Sequence, residues 1–385
     1  MNIKPSHIPN NPHFSSGPCP KRPDWDCSVL SNAILGRSHR SKEALERINN
    51  VLLLIRDILN VPNNYYIGIV PASDTGAIEM VLWNMLGKIP VEVLAWESFG
   101  KDWVNDVVNQ LKIDDVIVRK EEYGEIVDLE KVNFKNDIVF TWNGTTSGVC
   151  VPNADWIDEK RVGLTICDAT SAVFSMDLNW SKLDATTFSW QKVLGGEAQH
   201  GIIILSPRAI ERLETYDPGR PIPKIFQISK NLKVNKKIFT GNTINTPSML
   251  CIEDVLDSLL WVKKIGGLNK TMEKSKKNLA VVEDKIINSS WLEFLAKNKQ
   301  NRSCTSICLK IKDALLLSGD LDNLKVKVSE LLNYLEKNNI AFDINSYRDA
   351  PLGIRIWGGA TVNFKDIEVL LQWLEWGYNE FIREK

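Results

Sequence analysis

Residues 163–168 read Gly-Leu-Thr-Ile-Cys-Asp, and residues 185–192 read Ala-Thr-Thr-Phe-Ser-Trp-Gln-Lys. In each stretch an apolar run typical of a β-strand leads into a charged side chain, Asp168 in the first and Lys192 in the second. Because ligands of open parallel α/β sheets bind at the carboxyl ends of the strands, we expect the carboxylate and the amine to share one site. On these two residues alone, a salt bridge between strand ends is an equally good interpretation.

Strand-like and helical stretches alternate along the first half of the chain. Seven strands are predicted at residues 66–70, 91–95, 116–118, 137–141, 163–167, 185–188 and 201–205. Leu and Ile at helical spacing predict a helix over 41–59, and further helices are predicted over 77–86 and 103–111. This alternation predicts an α/β fold in which helices cover both faces of a mostly parallel, seven-stranded sheet.

The pattern changes after Thr246-Pro247. The remaining predictions are a helical region over 248–287 with a break at Gly266-Gly267, strands near 303–311 and 353–357, a helix over 321–338 and a terminal helix over 366–381. We therefore predict two domains. Residues 1–255 hold an irregular N-terminal arm and the large domain, and residues 256–385 form a smaller α+β domain.

The composition excludes several classes of function. The 47 basic and 48 acidic side chains nearly cancel, so no global field favours nucleic acid or a membrane as a partner. No run of 18 apolar residues is present, and the four histidines are too dispersed to suggest a metal site. Seven cysteines in apolar surroundings fit a reducing compartment, so we expect a cytoplasmic protein.

Polar turns follow four successive strand predictions. In the first, Ser73, Asp74 and Thr75 lie at a predicted helix start, where free backbone N–H groups suit a phosphate, although simple helix capping explains the same residues. Together with Asp168 and Lys192, these turns favour a ligand site. A lysine amine that bonds an aldehyde and an aspartate that faces a ring nitrogen are what pyridoxal 5'-phosphate chemistry needs.

Seven segments carry a family resemblance. They are Phe-Ser-Ser-Gly-Pro at 14–18, Ser-His-Arg at 38–40, Trp-Asn-Gly-Thr at 142–145, Asp168, Ser-Trp-Gln-Lys at 189–192, Asn-Thr-Pro at 245–247 and the stretch 347–360. They resemble the phosphoserine aminotransferases, in the class V branch of the fold-type I pyridoxal-phosphate-dependent transferases. The resemblance covers essentially the whole chain and implies a homodimer with both active sites at the interface.

The resemblance also implies an activity. It is reversible amino transfer between L-glutamate and 3-phosphohydroxypyruvate, which gives O-phospho-L-serine and 2-oxoglutarate, in serine biosynthesis and with a second role in pyridoxine biosynthesis. Phosphorylated 4-hydroxythreonine is the second substrate that this role implies. The sequence leaves open how strictly a phosphorylated substrate is preferred and how far the small domain closes.

The resemblance assigns the cofactor site residue by residue. Lys192 matches the lysine that bonds the cofactor, and Asp168 matches the partner of its ring nitrogen; these two are the predicted catalytic residues. The other cofactor contacts that it implies are Ser73, Asp74 and Thr75 at the phosphate turn, Thr145 near the ring oxygen, Gln191 at the phosphate, and Asn245 and Thr246 from the neighbouring subunit. Relatives usually have a tryptophan stacked on the ring; here Phe99 takes that position, with Trp103 as the alternative.

Four cations are the predicted substrate contacts. Arg355 matches the residue that pairs with the substrate α-carboxylate, for which a planar guanidinium is well suited. By the same resemblance His39, Arg40 and Arg348 hold the phosphate or the distal carboxylate. Tyr347 departs from the family pattern, because relatives often carry histidine there.

Three rival functions remain at this stage. A serine– or alanine–glyoxylate aminotransferase of the same class needs no extra cations for a phosphate, so His39, Arg40 and Arg348 count against it. A cysteine desulfurase needs a mobile cysteine near the site, and residues 345–350 contain none. A non-catalytic binding module on the same scaffold is a third possibility, because a fold does not fix a function.

Overall fold

A seven-stranded sheet forms the centre of the larger part of the molecule, in a computed structural model that describes residues 3–312, 317 and 319–383. Its strands are β1 (Tyr66–Pro71), β2 (Val91–Ala95), β3 (Val116–Lys120), β4 (Asp137–Thr141), β5 (Thr165–Asp168), β6 (Ala185–Ser189) and β7 (His200–Leu205). Their spatial order is β1-β7-β6-β5-β4-β2-β3. Only β7 runs antiparallel to its neighbours, which confirms the predicted mostly parallel sheet.

The strands are buried on both faces. Every residue of β2, β4, β5 and β6 is buried, as expected for parallel strands that helices cover. The helices of this part are α1 (Lys42–Leu59), α2 (Ser73–Met85), α3 (Ser98–Asn105) and α4 (Pro207–Thr215). The Ser41 side chain caps α1 at the N–H of Ala44, and Asn60 ends the helix in the left-handed conformation.

Two helices begin earlier than the sequence predicts. α2 begins at Ser73 rather than at residue 77, and α3 begins at Ser98 rather than at residue 103. In both cases the polar turn after the strand is itself the first turn of the helix. The functional residues of these turns therefore lie at helix N-termini.

A second, three-stranded antiparallel sheet lies in the C-terminal part. It consists of β10 (Leu292–Phe294), β11 (Ser306–Ile311) and β12 (Gly353–Trp357); a short hairpin, β8 (Ser229–Lys230) and β9 (Lys233–Val234), precedes it. The helices there are α5 (Met249–Ile265), α6 (Gly267–Ile286), α7 (Leu321–Lys337) and α8 (Phe364–Gly377).

Gly266 separates α5 from α6 with a φ of 117°, so the predicted helix break is confirmed. The proposed domain boundary between residues 255 and 256 falls within α5, and the division into 1–255 and 256–385 stays a prediction. Among the described residues, no helix combines the length and the apolar character needed to cross a membrane.

A buried ion pair attaches α4 to the central sheet. The guanidinium of Arg212 donates to both carboxylate oxygens of Asp137, at 2.6 and 2.9 Å, and to the carbonyl of Met85 at 2.8 Å. Asp137 also accepts the backbone N–H of Leu164 at 2.8 Å. This pair fixes the first residue of β4, and β4 ends at the polar turn that begins with Thr141.

We expect Arg212→Met to lower the free energy of unfolding by about 3–5 kcal/mol, because it leaves the Asp137 charge buried without its partner. Urea unfolding of the two proteins checks this. Lys236→Met is the matched control, since its pair with Glu214 is exposed at both side chains and should contribute less than about 1 kcal/mol. Equal losses in the two variants would contradict the importance of the buried pair.

Candidate active site

The register of the central strands brings three predicted strand ends to one edge of the sheet. Thr141 of β4 pairs with Asp168 of β5, and Asp168 pairs with Thr187 of β6. Lys192 follows β6 by three residues, so the amine and the carboxylate flank the same edge, as the sequence predicts.

Lys192 is buried under the N-terminal arm. Its Nζ donates to the carbonyl of Ser16 rather than to Asp168, so the interpretation as a simple salt bridge does not hold. The backbone of Gly17 lies so close that a Cβ there would overlap Nζ. Burial lowers the pKa of Lys192, and Arg355 acts in the same direction. A lowered pKa favours the neutral amine, which is the nucleophilic form.

Asp168 is oriented by two donors. The indole N–H of Trp103 donates to its Oδ2 at 3.2 Å, and the backbone N–H of Thr170 donates to its Oδ1 at 3.0 Å. Asp168 is only 5 % exposed, and it is the last residue of β5 in the central sheet. It can therefore hold a cationic group in a fixed direction.

The N-terminus of α2 is open to a ligand. Its N-cap residue is Ala72, with a φ of 66°, and no side chain caps the helix, so capping does not explain Ser73, Asp74 or Thr75. The backbone N–H groups of Ala72 and Ser73 donate to the carbonyl of Gln199 at 3.1 and 3.3 Å. Ser73 is half-buried and Thr75 is exposed, whereas Asp74 is buried. The open helix end with two hydroxyls is suited to an anion.

Thr145 lies in a buried network after β4. Its hydroxyl donates to Ser171 Oγ at 2.8 Å, and Ser171 donates to the carbonyl of Asn143 at 2.9 Å. Gln191, half-buried, accepts from Ser189 Oγ through its side chain and from the N–H of Cys19 through its carbonyl. Gln191 thus connects the lysine turn to the N-terminal arm.

Phe99 and Trp103 occupy different sides of the site. Trp103 is buried and its indole N–H is engaged by Asp168, whereas the Phe99 ring lies 6.0 Å from the ring of Tyr347. Trp103 therefore lies beside Asp168, and Phe99 lies beside Tyr347. Phe99 as the residue stacked on the cofactor, with Trp103 as the alternative, stays a prediction.

Arg355 reaches the same region from β12. One guanidinium nitrogen lies 3.5 Å from the carbonyl of Thr145, and its buried Nε has no partner among the described residues. The guanidinium carbons of Arg355 and Arg348 lie 5.6 and 5.4 Å from the Tyr347 ring centroid. The Arg348 side chain is 78 % exposed and its Nε lies 3.7 Å from Asp349. Both guanidinium groups therefore lie near the Tyr347 ring.

Four predicted residues make no polar contact with Lys192 or Asp168. The hydrogen bonds of Arg40 and Asn245 are local: Arg40 N–H donates to Ser38, and Asn245 donates weakly to the carbonyl of Thr246. In the part of the chain that the structure describes, no hydrogen bond or ion pair joins Lys192 or Asp168 to any of the four residues, which are His39, Arg40, Asn245 and Thr246.

Glu97 is a site residue that the sequence reasoning missed. Its fully buried carboxyl accepts from the N–H of Gly100 at 2.7 Å and from the hydroxyl of Thr146 at 2.8 Å. Burial raises its pKa to about 7, against which both hydrogen bonds act. Its sequence signal resembles the one that identified Asp168: a carboxylate shortly after a predicted strand, here two residues past 91–95.

Several buried polar atoms around this edge have no hydrogen-bond partner among the residues that the structure describes. They are Oγ of Ser16, Oδ1 of Asp74, Oγ1 of Thr141, Oδ1 of Asn143, Oγ1 of Thr170 and of Thr187, and Nε of Arg355. Buried polar groups without hydrogen bonds are rare in folded proteins, and such a concentration indicates a polar ligand. With the lysine, the aspartate and the open helix end, these groups fit pyridoxal phosphate. Across the residues described, no group of His, Cys, Asp and Glu could hold a metal ion.

Comparison with known proteins agrees with this geometry. The family model for class V aminotransferases matches residues 27–330. The phosphoserine aminotransferase of Methanosarcina barkeri is 55 % identical over 377 residues, which are 98 % of this chain and 99 % of that protein. The chain belongs to the class V aminotransferases, in the phosphoserine aminotransferase family. It is therefore a transaminase of a pyridoxal-phosphate-dependent class, as the sequence predicts.

Solved structures of class V aminotransferases share the fold. A phosphoserine aminotransferase from Cytophaga hutchinsonii superposes with a TM-score of 0.80 at 21 % identity and covers 98 % of this chain and 100 % of its own. An alanine–glyoxylate aminotransferase from Nostoc sp. gives a TM-score of 0.75 at 16 % identity, over 100 % of this chain and 98 % of its own. The fold-type I prediction is confirmed, and the fold alone does not separate the two substrate classes.

We expect Glu97→Gln to change how the stability of the apoprotein depends on pH. The raised pKa means that folding favours protonated Glu97, so this contribution is fully present below the ordinary value of 4.5 and is lost as the pH rises through about 7. Relative to Glu97→Gln, the wild type should lose about 3 kcal/mol between these pH values. Urea unfolding at a series of pH values measures the difference. The exposed Glu121→Gln is the control, and a constant difference between wild type and Glu97→Gln would refute the prediction.

Proposed function

We propose that this protein is a phosphoserine transaminase that moves an amino group between L-glutamate and 3-phosphohydroxypyruvate and yields O-phospho-L-serine and 2-oxoglutarate. The observation that carries the proposal is Lys192: a buried amine of lowered pKa at the same sheet edge as Asp168, in a chain 55 % identical to a phosphoserine aminotransferase. A role in serine biosynthesis, and a second one in pyridoxine biosynthesis, follow from this activity as proposals.

The cofactor in this proposal is pyridoxal 5'-phosphate. Lys192 would bond it, Asp168 would hold the positive charge of its ring nitrogen, and the α2 N-terminus with Ser73 and Thr75 would bind its phosphate. Phe99, Thr145 and Gln191 would complete the contacts from the same chain. When bound, the cofactor supplies an electron sink that stabilises negative charge at the substrate Cα.

The protein's own groups then account for proton movement and orientation. The amine of Lys192, whose pKa burial lowers, would take the proton from the Cα of the amino donor and, in the second half-reaction, supply the proton to the Cα of the product amino acid. The carboxylate of Asp168, fixed by Trp103 and Thr170, keeps the ring-nitrogen proton in place. The N-terminal arm over Lys192 excludes water from the amine.

Charge selects the substrate in this proposal. Arg355 has a buried, unpaired Nε, and it would pair with the α-carboxylate of either amino acid. Arg348 is exposed beside Tyr347 and is free to meet a phosphate or a distal carboxylate. His39 and Arg40 would add further positive charge.

A homodimer would complete the site. His39, Arg40, Asn245 and Thr246 make no polar contact with Lys192 or Asp168 within one chain, although the resemblance places all four at the active site. We propose that they act on the site of the partner subunit. A cytoplasmic location is proposed as well, because all seven cysteines are free thiols.

The structure gives a reason to disfavour the cysteine desulfurase. Cys19 and Cys308 lie close enough to Arg355 to be influenced by its charge, but burial raises the pKa of Cys19 to about 12 and that of Cys308 to about 11. Both remain protonated thiols, and the thiolate is the nucleophile that a desulfurase requires. The glyoxylate-type aminotransferase remains the alternative, because it shares the fold.

A substrate panel tests the function. The protein loaded with pyridoxal phosphate should show a visible absorption band that borohydride abolishes and that Lys192→Ala lacks. Turnover with phosphohydroxypyruvate and glutamate should exceed turnover with glyoxylate and alanine.

Arg40→Ala should reduce kcat/KM for phosphoserine by about 10- to 100-fold, since hydrogen bonds to charged groups contribute about 1.5–3 kcal/mol.

Arg37→Ala is the matched control, because Arg37 is an exposed arginine on the same segment and pairs with Glu43. It should leave both reactions unchanged. If Arg40→Ala weakened alanine turnover as much as phosphoserine turnover, the assignment of Arg40 to the phosphate would be wrong. Faster turnover of glyoxylate would instead support the glyoxylate-type alternative.

Subunit mixing tests the shared site. Lys192→Ala and the double variant Asn245→Ala/Thr246→Ala should each be nearly inactive alone. If Asn245 and Thr246 act across the interface, random exchange of subunits restores about a quarter of the sites, each with an intact Lys192 and intact partner residues. Action within one chain would restore none, and a monomeric protein in solution would also refute the proposal.

A further inference from the structure

Asp74 does not belong with the anion-binding groups that surround it in sequence. It is the second residue of α2, yet its residue exposure is only 6 %, whereas Thr75 beside it is exposed. Its carboxyl turns away from the open end of the helix and faces the ends of β5 and β6. The groups that it meets there are the carboxyl of Asp168 and the hydroxyls of Thr170 and Thr187.

Among the described residues, no cation forms an ion pair with Asp74, and none is among the largest influences on its carboxyl. Burial and the charge of Asp168 are the largest influences on its carboxyl, and both raise its pKa. The hydroxyls of Thr187 and Thr170 act in the opposite direction, but among the described residues neither hydroxyl oxygen forms a hydrogen bond. On β5, Asp74 also acts on the thiol of Cys167, whose pKa is raised first by burial and then by Asp168 and Asp74. Two buried negative charges side by side cost several kcal/mol each, so such pairs share a proton.

Hydrogen bonding identifies which carboxyl carries that proton. Asp168 accepts from Trp103 on Oδ2 and from the Thr170 N–H on Oδ1, so two donors already stabilise its charged form. Asp74 Oδ1 is buried and receives no donor within hydrogen-bond distance. Two carboxyls can hydrogen bond only when one is protonated, and the unsupported one is the better place for the proton. Burial and the Asp168 charge raise the pKa of Asp74 well above its ordinary value, in agreement with this assignment.

We propose that Asp74 is a positioning residue that exists as a neutral carboxylic acid and donates its proton in a hydrogen bond to the Asp168 carboxylate. The pair then carries one negative charge, and Asp168 presents that charge in a fixed direction. This inference rests on the proposed function only for the identity of the group that Asp168 faces, the ring nitrogen of the cofactor. The protonation of Asp74 can be measured without any cofactor.

Infrared spectroscopy of the apoprotein tests the protonation directly. A carbonyl stretching band of a protonated carboxylic acid should be present at neutral pH, and Asp74→Asn should lose the part of its intensity that Asp74 contributes. Glu97 also has a raised pKa, so protonated Glu97 adds to the same band, and Glu97→Gln shows how much. The Glu97 part of the band should disappear as the pH rises through about 7, whereas the Asp74 part should persist. Asp177→Asn, a change of an exposed aspartate, should leave the spectrum unchanged. A wild-type spectrum identical to that of Asp74→Asn would overturn the proposal.

Cofactor affinity tests the hydrogen bond to Asp168. Asn is isosteric with the protonated acid and can donate through Nδ2, whereas Ala cannot. Asp74→Ala should weaken pyridoxal phosphate binding to the apoprotein by about tenfold or more, and Asp74→Asn should recover most of that loss. Equal losses in the two variants, both shown to be folded by circular dichroism, would refute the donor role. If the infrared band is present but the protein transaminates no phosphorylated substrate, the proposed function fails and this inference stands.

Discussion

The parallel register of three neighbouring strands is the constraint on which the site depends. Because Thr141, Asp168 and Thr187 are paired across β4, β5 and β6, their side chains meet at one edge without any help from a loop. A slip of one residue in this register would turn each side chain to the opposite face. The ion pair of Arg212 with Asp137 secures the other end of β4, so a contact far from the site contributes to its geometry.

Burial shifts the pKa values of the titratable groups at this edge of the sheet. The same desolvation lowers the pKa of Lys192 and raises the pKa values of Glu97, Asp74 and Cys19. The neutral form is favoured in each case. A fixed negative charge persists where donors support it, as Trp103 and the Thr170 N–H do for Asp168. A mostly neutral surrounding of this kind lets one carboxylate and one guanidinium, Arg355, determine how a charged ligand is oriented.

The sequence predicted the parts of this arrangement that depend on strand ends. Asp168 and Lys192 were predictable because an apolar run and a following charged residue define a position at the edge of a parallel sheet. Glu97 gave a similar signal and was missed. The inward turn of Asp74 was not predictable, because it depends on Ala72 and Ser73 adopting positive φ values of 66° and 52°. The contact of the N-terminal arm with Lys192 could not be predicted either, since it joins residues that are 176 positions apart in the sequence.

That separation has a consequence for biosynthesis. Residues 14–17 are synthesised before Lys192, the residue that they cover, and 176 positions separate Ser16 from Lys192. A nascent chain that ends before Lys192 has no enclosed amine, and the arm must wait until β6 has joined the sheet. Residues 14–17 thus take their final place only after a segment that is synthesised much later has folded, and capture of the cofactor during translation can begin only after that step.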